Sequence, residues 1–322
     1  MGSAPVKLEG VSKRFGNFTA VNDLSFTVQP GEIYGFLGPN GAGKTTTLRM
    51  LLDIVQPSEG RLEILGSSSA IPVRTKIGYL PEERGLYRKM KAADSIAYFA
   101  RLRGLSGRDA KAKSLELLER FGLGGFAQSK NETLSKGMAQ KVQLLATIAH
   151  DPELLILDEP FSGLDPINQD VLETLIRDLR KDGRTIIFST HVMQHAERLC
   201  DRFLILAGGQ KRFEGTLREA RASFSQRLYI STTAPRAQIE ALECVDGVID
   251  QDHEERAGEI NLAIELKDRA DPQVFLKEAI NAGIEITRFE RAGATLHDIF
   301  VALAGENAVP PTSDRSLNEV AA

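Results

Sequence analysis

The chain has 322 residues, enough for a main domain and an appendage that each bury a core. Hydrophobic residues make up 42% and charged residues 26%, and a net charge of −4 gives no reason to expect nucleic acid or another bulk polyanion as partner. Cys200 and Cys244 are far apart and lack ligand-like spacing, which argues against a disulfide framework or zinc site and for a reducing compartment. No apolar run approaches the ~18 residues a spanning helix needs, and Met1 to Gly10 lacks the pattern of a secretory leader, so a cytoplasmic protein is expected.

From Val6 to about Glu219, short β-branched apolar runs alternate with longer helical patterns, as in an α/β domain around a largely parallel sheet. Glu32 to Leu37 reads as a buried strand. It leads into Gly38-Pro39-Asn40-Gly41-Ala42-Gly43-Lys44-Thr45, a full match to G-x-x-x-x-G-K-[ST], followed by a helical run from Thr46 to Val55. Strand, glycine-rich turn and helix in this order predict a phosphate-binding loop. Its glycines let backbone N–H groups converge on phosphate oxygens, and the helix offers the positive end of its dipole. Lys44 is then placed for the β- and γ-phosphates, and the Thr45 hydroxyl for Mg²⁺.

Between Ala92 and about Phe121, apolar residues at helical spacing (Ile96, Phe99, Ala100, Leu115, Leu118) are interrupted by Gly104 to Gly107, which predicts an inserted helical subdomain over about 92–150. The apolar strand Leu154 to Leu157 delivers Asp158 and Glu159. Taken alone, two acids after a strand read as a solvated turn; beside a phosphate loop, Asp158 suits the Mg²⁺ shell and Glu159 the polarisation of an attacking water. The strand Thr185 to Ser189 is followed by His191, a hydrogen-bond partner for a γ-phosphate or that water. A lone histidine is usually structural, and His150, His195, His253 and His297 are read as surface or packing residues.

After Phe224 the pattern changes. Strands at Arg227 to Thr232, Val248 to Glu254, Glu259 to Leu266 and Ile284 to Glu290 alternate with helices at Pro235 to Leu242, Asp271 to Asn281 and Leu296 to Leu303, suggesting a small α+β domain with split β-α-β order. The polar, proline-containing stretch Glu306 to Ala322 reads as a disordered tail. The expected organisation is a nucleotide-binding domain over 1–223, an accessory domain over 224–305 and a tail over 306–322.

Leu134-Ser135-Lys136-Gly137-Met138 resembles the LSGGQ signature of the ABC ATPase family, and Thr19 to Thr216 resembles that family throughout. The order of motifs agrees: phosphate loop, Tyr79-Leu80-Pro81-Glu82 at the glutamine-loop position, signature, LLILDEP, Ser162-Gly163-Leu164-Asp165 as D-loop, and His191 as switch histidine. The resemblance implies a P-loop NTPase of ABC type that binds ATP and Mg²⁺, with an inserted helical subdomain and the small C-terminal α+β domain. Contacts to the nucleotide are then expected from Gly38 through Thr45, from Thr46, and from Ser135 and Gly137. Phe15 stands where the family usually stacks an aromatic ring on adenine, although by itself it reads more readily as core. Metal contacts are expected from Thr45, Asp158 and Glu82, and catalytic roles for Glu159 and His191.

The family's head-to-tail dimer places each ATP between the phosphate loop of one subunit and the signature of the other. Ser135 is a plausible N-cap for a helix aimed at the partner's nucleotide. Two departures stand out. Lys136 and Met138 replace Gly and Gln of LSGGQ; Lys136 either adds a cation near the triphosphate or is solvated. Glu82 replaces a glutamine that contacts the metal and senses the transmembrane partner, and a carboxylate lacks the amide's donor. The stretch LPEERGLY over 80–87, with LSKGM and the C-terminal domain, looks most like the bacterial sodium- or drug-exporter branch. The resemblance therefore implies the motor of an exporter, peripheral at the cytoplasmic membrane face, with a separate transmembrane permease and a homodimer of this chain as partners. DNA-repair relatives carry long coiled-coil insertions and ribosome-acting relatives carry two nucleotide-binding domains, and this chain has neither. A nucleotide-gated regulator is the other alternative; Glu159 argues for retained hydrolysis.

Overall fold

The computed structural model describes residues 4–83, 85–223, 227–250, 259–267, 271–292 and 295–304. They form two compact units, built on Met1–Thr216 and Leu217–Ala302.

In chain order the first unit contains β1 (Val6–Phe15), β2 (Phe18–Val28), β3 (Ile33–Leu37), α1 (Lys44–Leu51), β4 (Glu59–Ile64), β5 (Ile77–Leu80), α2 (Ala92–Leu102), α3 (Gly107–Arg120), α4 (Lys136–Ile148), β6 (Leu154–Leu157), α5 (Pro166–Lys181), β7 (Thr185–Thr190), α6 (Met193–Leu199), β8 (Arg202–Ala207) and β9 (Gln210–Gly215). A six-stranded sheet in the order β5-β6-β7-β3-β8-β9 is parallel except for the last pair, and an antiparallel sheet β2-β1-β4 lies beside it in the same unit. Strands β3, β6 and β7 are buried over their whole length because each face has its own cover. Leu155, Leu157, Ile186 and Phe188 pack with residues of α2 to α5, whereas Leu154, Ile156, Ile187, Tyr34 and Phe36 pack with β1, β2 and α1. Each such side chain contributes about 1.5–3 kcal/mol on burial.

Helix α1 starts two residues before the predicted Thr46 and ends four before the predicted Val55. Gly43 at φ 101° allows the chain to enter the helix directly, and Asp53 at φ 63° ends it in a left-handed turn.

The second unit contains α7 (Leu217–Ser223), β10 (Arg227–Thr232), α8 (Arg236–Glu240), β11 (Val245–Asp250), β12 (Ile260–Leu266), α9 (Pro272–Asn281), β13 (Ile286–Ala292) and α10 (Leu296–Ala304). Its sheet is antiparallel between neighbours, in the order β11-β12-β10-β13. Strand β12 thus lies between β10 and β11, the split β-α-β arrangement. The division falls at Thr216 rather than 223, since the sheet of the first unit ends with β9 at Gly215. Strand β13 begins two residues later than the periodicity suggests: Gly283 at φ 70° and the bond from Ile284 N–H to Ala279 O cap α9 first. Residues 251–254 of one predicted strand, and the predicted tail 306–322, lie outside the described residues.

No helix among the described residues is long and apolar enough to cross a membrane.

Candidate active site

Three neighbouring strands, β6, β7 and β3, carry the predicted groups to one edge of the sheet. Register pairs Leu37 with Thr190 and Leu157 with Phe188, so the three strand ends lie nearly level. Parallel pairing is what gathers them, because parallel strands all present their carboxyl ends on the same side.

The phosphate loop is set by close backbone approach. A Cβ on Gly38 would lie 2.5 Å from Leu206 O, and one on Gly43 would lie 2.6 Å from Ala20 O. Only glycine lets the loop settle against β2 and β8. Among the described residues, the amides of Lys44, Thr45 and Thr46 have no hydrogen-bond acceptor, and Gly43 supplies no side-chain cap. These are the orphan donors that a helix start offers to an anion. Lys44 is buried; its ammonium donates to Gly38 O at 2.8 Å and Pro39 O at 3.2 Å and lies 3.5 Å from Glu159 Oε1. Asn40 and Gly41 are exposed on the loop, Pro39 is half-buried, and Ala42 is buried with its carbonyl accepting from Gly209 N–H.

Asp158 and Glu159 diverge from their shared peptide. Asp158 Oδ1 accepts from the Thr45 hydroxyl at 3.3 Å and from the Ser189 hydroxyl at 2.5 Å. Glu159 has φ 46°, a left-handed conformation that costs a non-glycine residue about 1–2 kcal/mol. Its N–H donates to Ser189 Oγ at 2.9 Å, and its carboxylate meets His191 Nδ1 at 3.0 Å. His191 is half exposed while Glu159 is buried, so the pair runs from the interior to the surface.

Sequence reasoning missed Ser189. Its hydroxyl joins the two acids, donating to one and accepting from the backbone of the other, and the available signal was a serine directly after the apolar run Ile186 to Phe188 of a buried strand. Glu82 stands exposed after β5. Burial raises the phenol of neighbouring Tyr79 above its ordinary value, the charge of Asp158 adds to the shift, and Arg49 opposes it.

Ser135 caps α4, accepting from Met138 N–H at 3.2 Å, and is exposed. Gly137 is buried against Asn168, whose carboxamide a Cβ would meet at 2.6 Å. Lys136 lies across Gly163 of its own chain, where any Cβ would collide with Nζ. Among the described residues no hydrogen bond links Ser135 or Gly137 to the phosphate loop of the same chain. Phe15 is half exposed at the end of β1, with Lys13 Nζ 4.9 Å from its ring centre. His150 and His195, read from sequence as surface or packing residues, are both buried and hydrogen-bonded.

The chain is similar to known proteins over both of its units. The ABC transporter family profile matches residues 21–162. The chain is 38% identical over 302 residues to YhaQ of Bacillus subtilis, an uncharacterized ABC transporter ATP-binding protein, covering 92% of this chain and 98% of that one. This chain belongs to the ABC transporter ATP-binding proteins. As an ABC ATP-binding subunit it binds ATP and is an ATPase.

Residues 215–304 match a second family, the C-terminal domain of DrrA1-3-like ATP-binding proteins. The Nod factor export ATP-binding protein I of Burkholderia lata is 42% identical over 218 residues, covering 67% of this chain and 72% of that protein. Among solved structures, an ATP-binding subunit of an ABC transporter superposes with TM-score 0.63 at 31% identity, covering 69% of this chain and 93% of the other. A dimeric ATP-binding cassette in a post-hydrolysis state, bound to ADP and Pi, superposes with TM-score 0.61 at 26% identity over 66% of this chain and 99% of the other.

Proposed function

We propose that this subunit powers export through a separate transmembrane permease, two copies closing head to tail on two ATP molecules at the cytoplasmic membrane face. The observation that carries the catalytic part is the position of the Glu159 carboxylate between Lys44 Nζ at 3.5 Å and His191 Nδ1 at 3.0 Å. The export sense is supported by the name of the Nod factor export relative, and the dimer by the dimeric state of the post-hydrolysis cassette.

In this reading Gly38 through Thr46 cradle the triphosphate, with Lys44 exchanging its two loop carbonyls for β- and γ-phosphate oxygens. Phe15 packs on adenine. Glu159 takes the proton of a water whose oxygen attacks the γ-phosphorus; the bond to the β–γ bridging oxygen breaks, and ADP and phosphate leave. His191 reaches the γ-phosphate while its other ring nitrogen stays on Glu159. Ser135 and Gly137 of the second copy complete the site.

Thr45 and Asp158 fit Mg²⁺, since their hard oxygens face each other at 3.3 Å, and exposed Glu82 supplies a further oxygen. Bound there, Mg²⁺ would neutralise charge on the phosphates. The domain plan is a nucleotide-binding domain up to Thr216 and an accessory domain from Leu217; no nucleic acid is involved.

Two measurements test this. Glu159→Gln keeps size and hydrogen bonding but removes the basic oxygen, so turnover should fall by roughly 10²–10⁴-fold while ATP still binds. Size-exclusion chromatography should then show a dimer that depends on ATP. Near-normal turnover would remove Glu159 from its role. Purification of the tagged chain from detergent-solubilised membranes should bring down a polytopic membrane protein; ribosomes or DNA instead would overturn the permease assignment.

A further inference from the structure

His195 lies outside the cluster just described, yet its contacts lead back to it. Its imidazole is buried, stacks on the Phe161 ring with centroids 4.0 Å apart and planes 15° apart, and meets Glu173 Oε1 through Nδ1 at 3.1 Å. Phe161 follows Glu159 by two residues and packs edge-on against Phe188 of β7 at 5.9 Å. Glu173, on α5, is also buried and is neutralised from outside by Arg177 at 3.0 Å and Arg198 at 3.7 Å. One ring thus touches the turn that carries Glu159 and the helix that follows it.

The other end of the argument is α6. It has seven residues, begins two positions after His191, and its N-cap Val192 provides no side-chain bond. A helix this short has little stability of its own, so its placement comes from tertiary contacts. His195 is the polar member of its buried face, with Met193, Ala196 and Leu199.

We infer that His195 is a positioning residue for ATP hydrolysis: its stack on Phe161 and its bond to Glu173 hold the His191 segment in register with the Glu159 turn. The inference rests on the proposed roles of Glu159 and His191. Phosphate contacts by Lys44 and the loop do not pass through His195, so the loss should fall on turnover and spare binding.

The test uses the full chain with Mg²⁺-ATP, at a temperature where circular dichroism shows every variant folded. His195→Ala should lower kcat about ten-fold or more, in line with the cost of small misplacements of catalytic groups, with KM and the affinity for ATP within two-fold of wild type. Phe161→Leu should have a similar effect, and the double variant should be no worse than the poorer single one, because both remove the same contact. His195→Phe, which keeps a ring, and His195→Asn, which keeps a donor near Nδ1, should each retain more activity than His195→Ala. If the alanine variant does not fold, these two carry the test, and kcat must fall in at least one. Unchanged kcat, or effects of His195→Ala and Phe161→Leu that multiply in the double variant, would overturn the inference. Glu159→Gln run alongside separates the two levels: an active Glu159→Gln removes the underlying reading, whereas an inactive one beside a fully active His195→Ala removes only the role of His195.

Discussion

The first unit gathers its polar residues and the second disperses them. At the carboxyl edge of the parallel sheet, Lys44, Asp158, Glu159 and Ser189 are all buried and bonded to one another. In the antiparallel sheet of the second unit, the buried polar side chains among the described residues are Ser231 and Thr232, and each is satisfied locally: Ser231 by Asn261, Thr232 by the Glu285 carbonyl. Its charged pairs, such as Arg236 with Glu240 and Arg288 with Glu290, lie on the surface. Sheet direction accounts for much of this contrast. Parallel strands end on the same edge, so short motifs distant in sequence meet there; antiparallel neighbours end on opposite edges, which separates them.

The comparison can be broken most severely at Lys44. Lys44→Ala removes the cation that faces Glu159 and the proposed phosphate ligand, so ATP affinity and turnover should both collapse, by about 100-fold or more in each, as read by nucleotide binding and phosphate release. Retained turnover would place the chemistry elsewhere. A smaller effect is expected from Ser189→Ala, which leaves the Glu159 N–H without its acceptor and costs Asp158 a donor. Stability should fall by about 1–3 kcal/mol and kcat by about ten-fold, with ATP affinity little changed.

The converse cut falls in the second unit. Phe275 is fully buried and stacks near Phe289 at 6.4 Å, so Phe275→Ala should destabilise that unit by about 3–5 kcal/mol. Hydrogen exchange should locate the loss in β10 to β13, while ATP turnover of the full chain stays within two-fold. A collapse of turnover would show that the accessory unit supports the site. The smallest expected effect concerns His150, whose pKa burial depresses below the ordinary 6.5. The unfolded chain then takes up this proton first, so stability contributed by neutral His150 is present above about pH 6.5 and declines as pH falls toward the folded value. His150→Gln should flatten the stability profile over that acidic window, measured by thermal melts.

Much of the site was legible in short stretches. Gly38 to Thr45 and Asp158-Glu159 each follow a buried apolar strand, and that local context is what marks them. The C-terminal strand and helix sequence was readable from periodicity, with an edge shifted where the left-handed residue Gly283 stops a helix. Ser189 and His195 were not legible in the same way. A serine in a strand and a histidine in a helix carry no motif, and their meaning depends on which side chains lie opposite them.

The sequence by itself determined most of the elements, the loop that only glycine can form, and the chemical type of each candidate site group, because these depend on neighbours within a few residues. Tertiary structure alone decided how the two acids separate, since they share a peptide and part through the left-handed turn at Glu159 and the Ser189 bond, which leave Asp158 on Thr45 and Glu159 between Lys44 and His191. It also decided that His195 is buried against Phe161, a contact between residues 34 positions apart that parallel packing of β6 beside β7 brings within stacking distance.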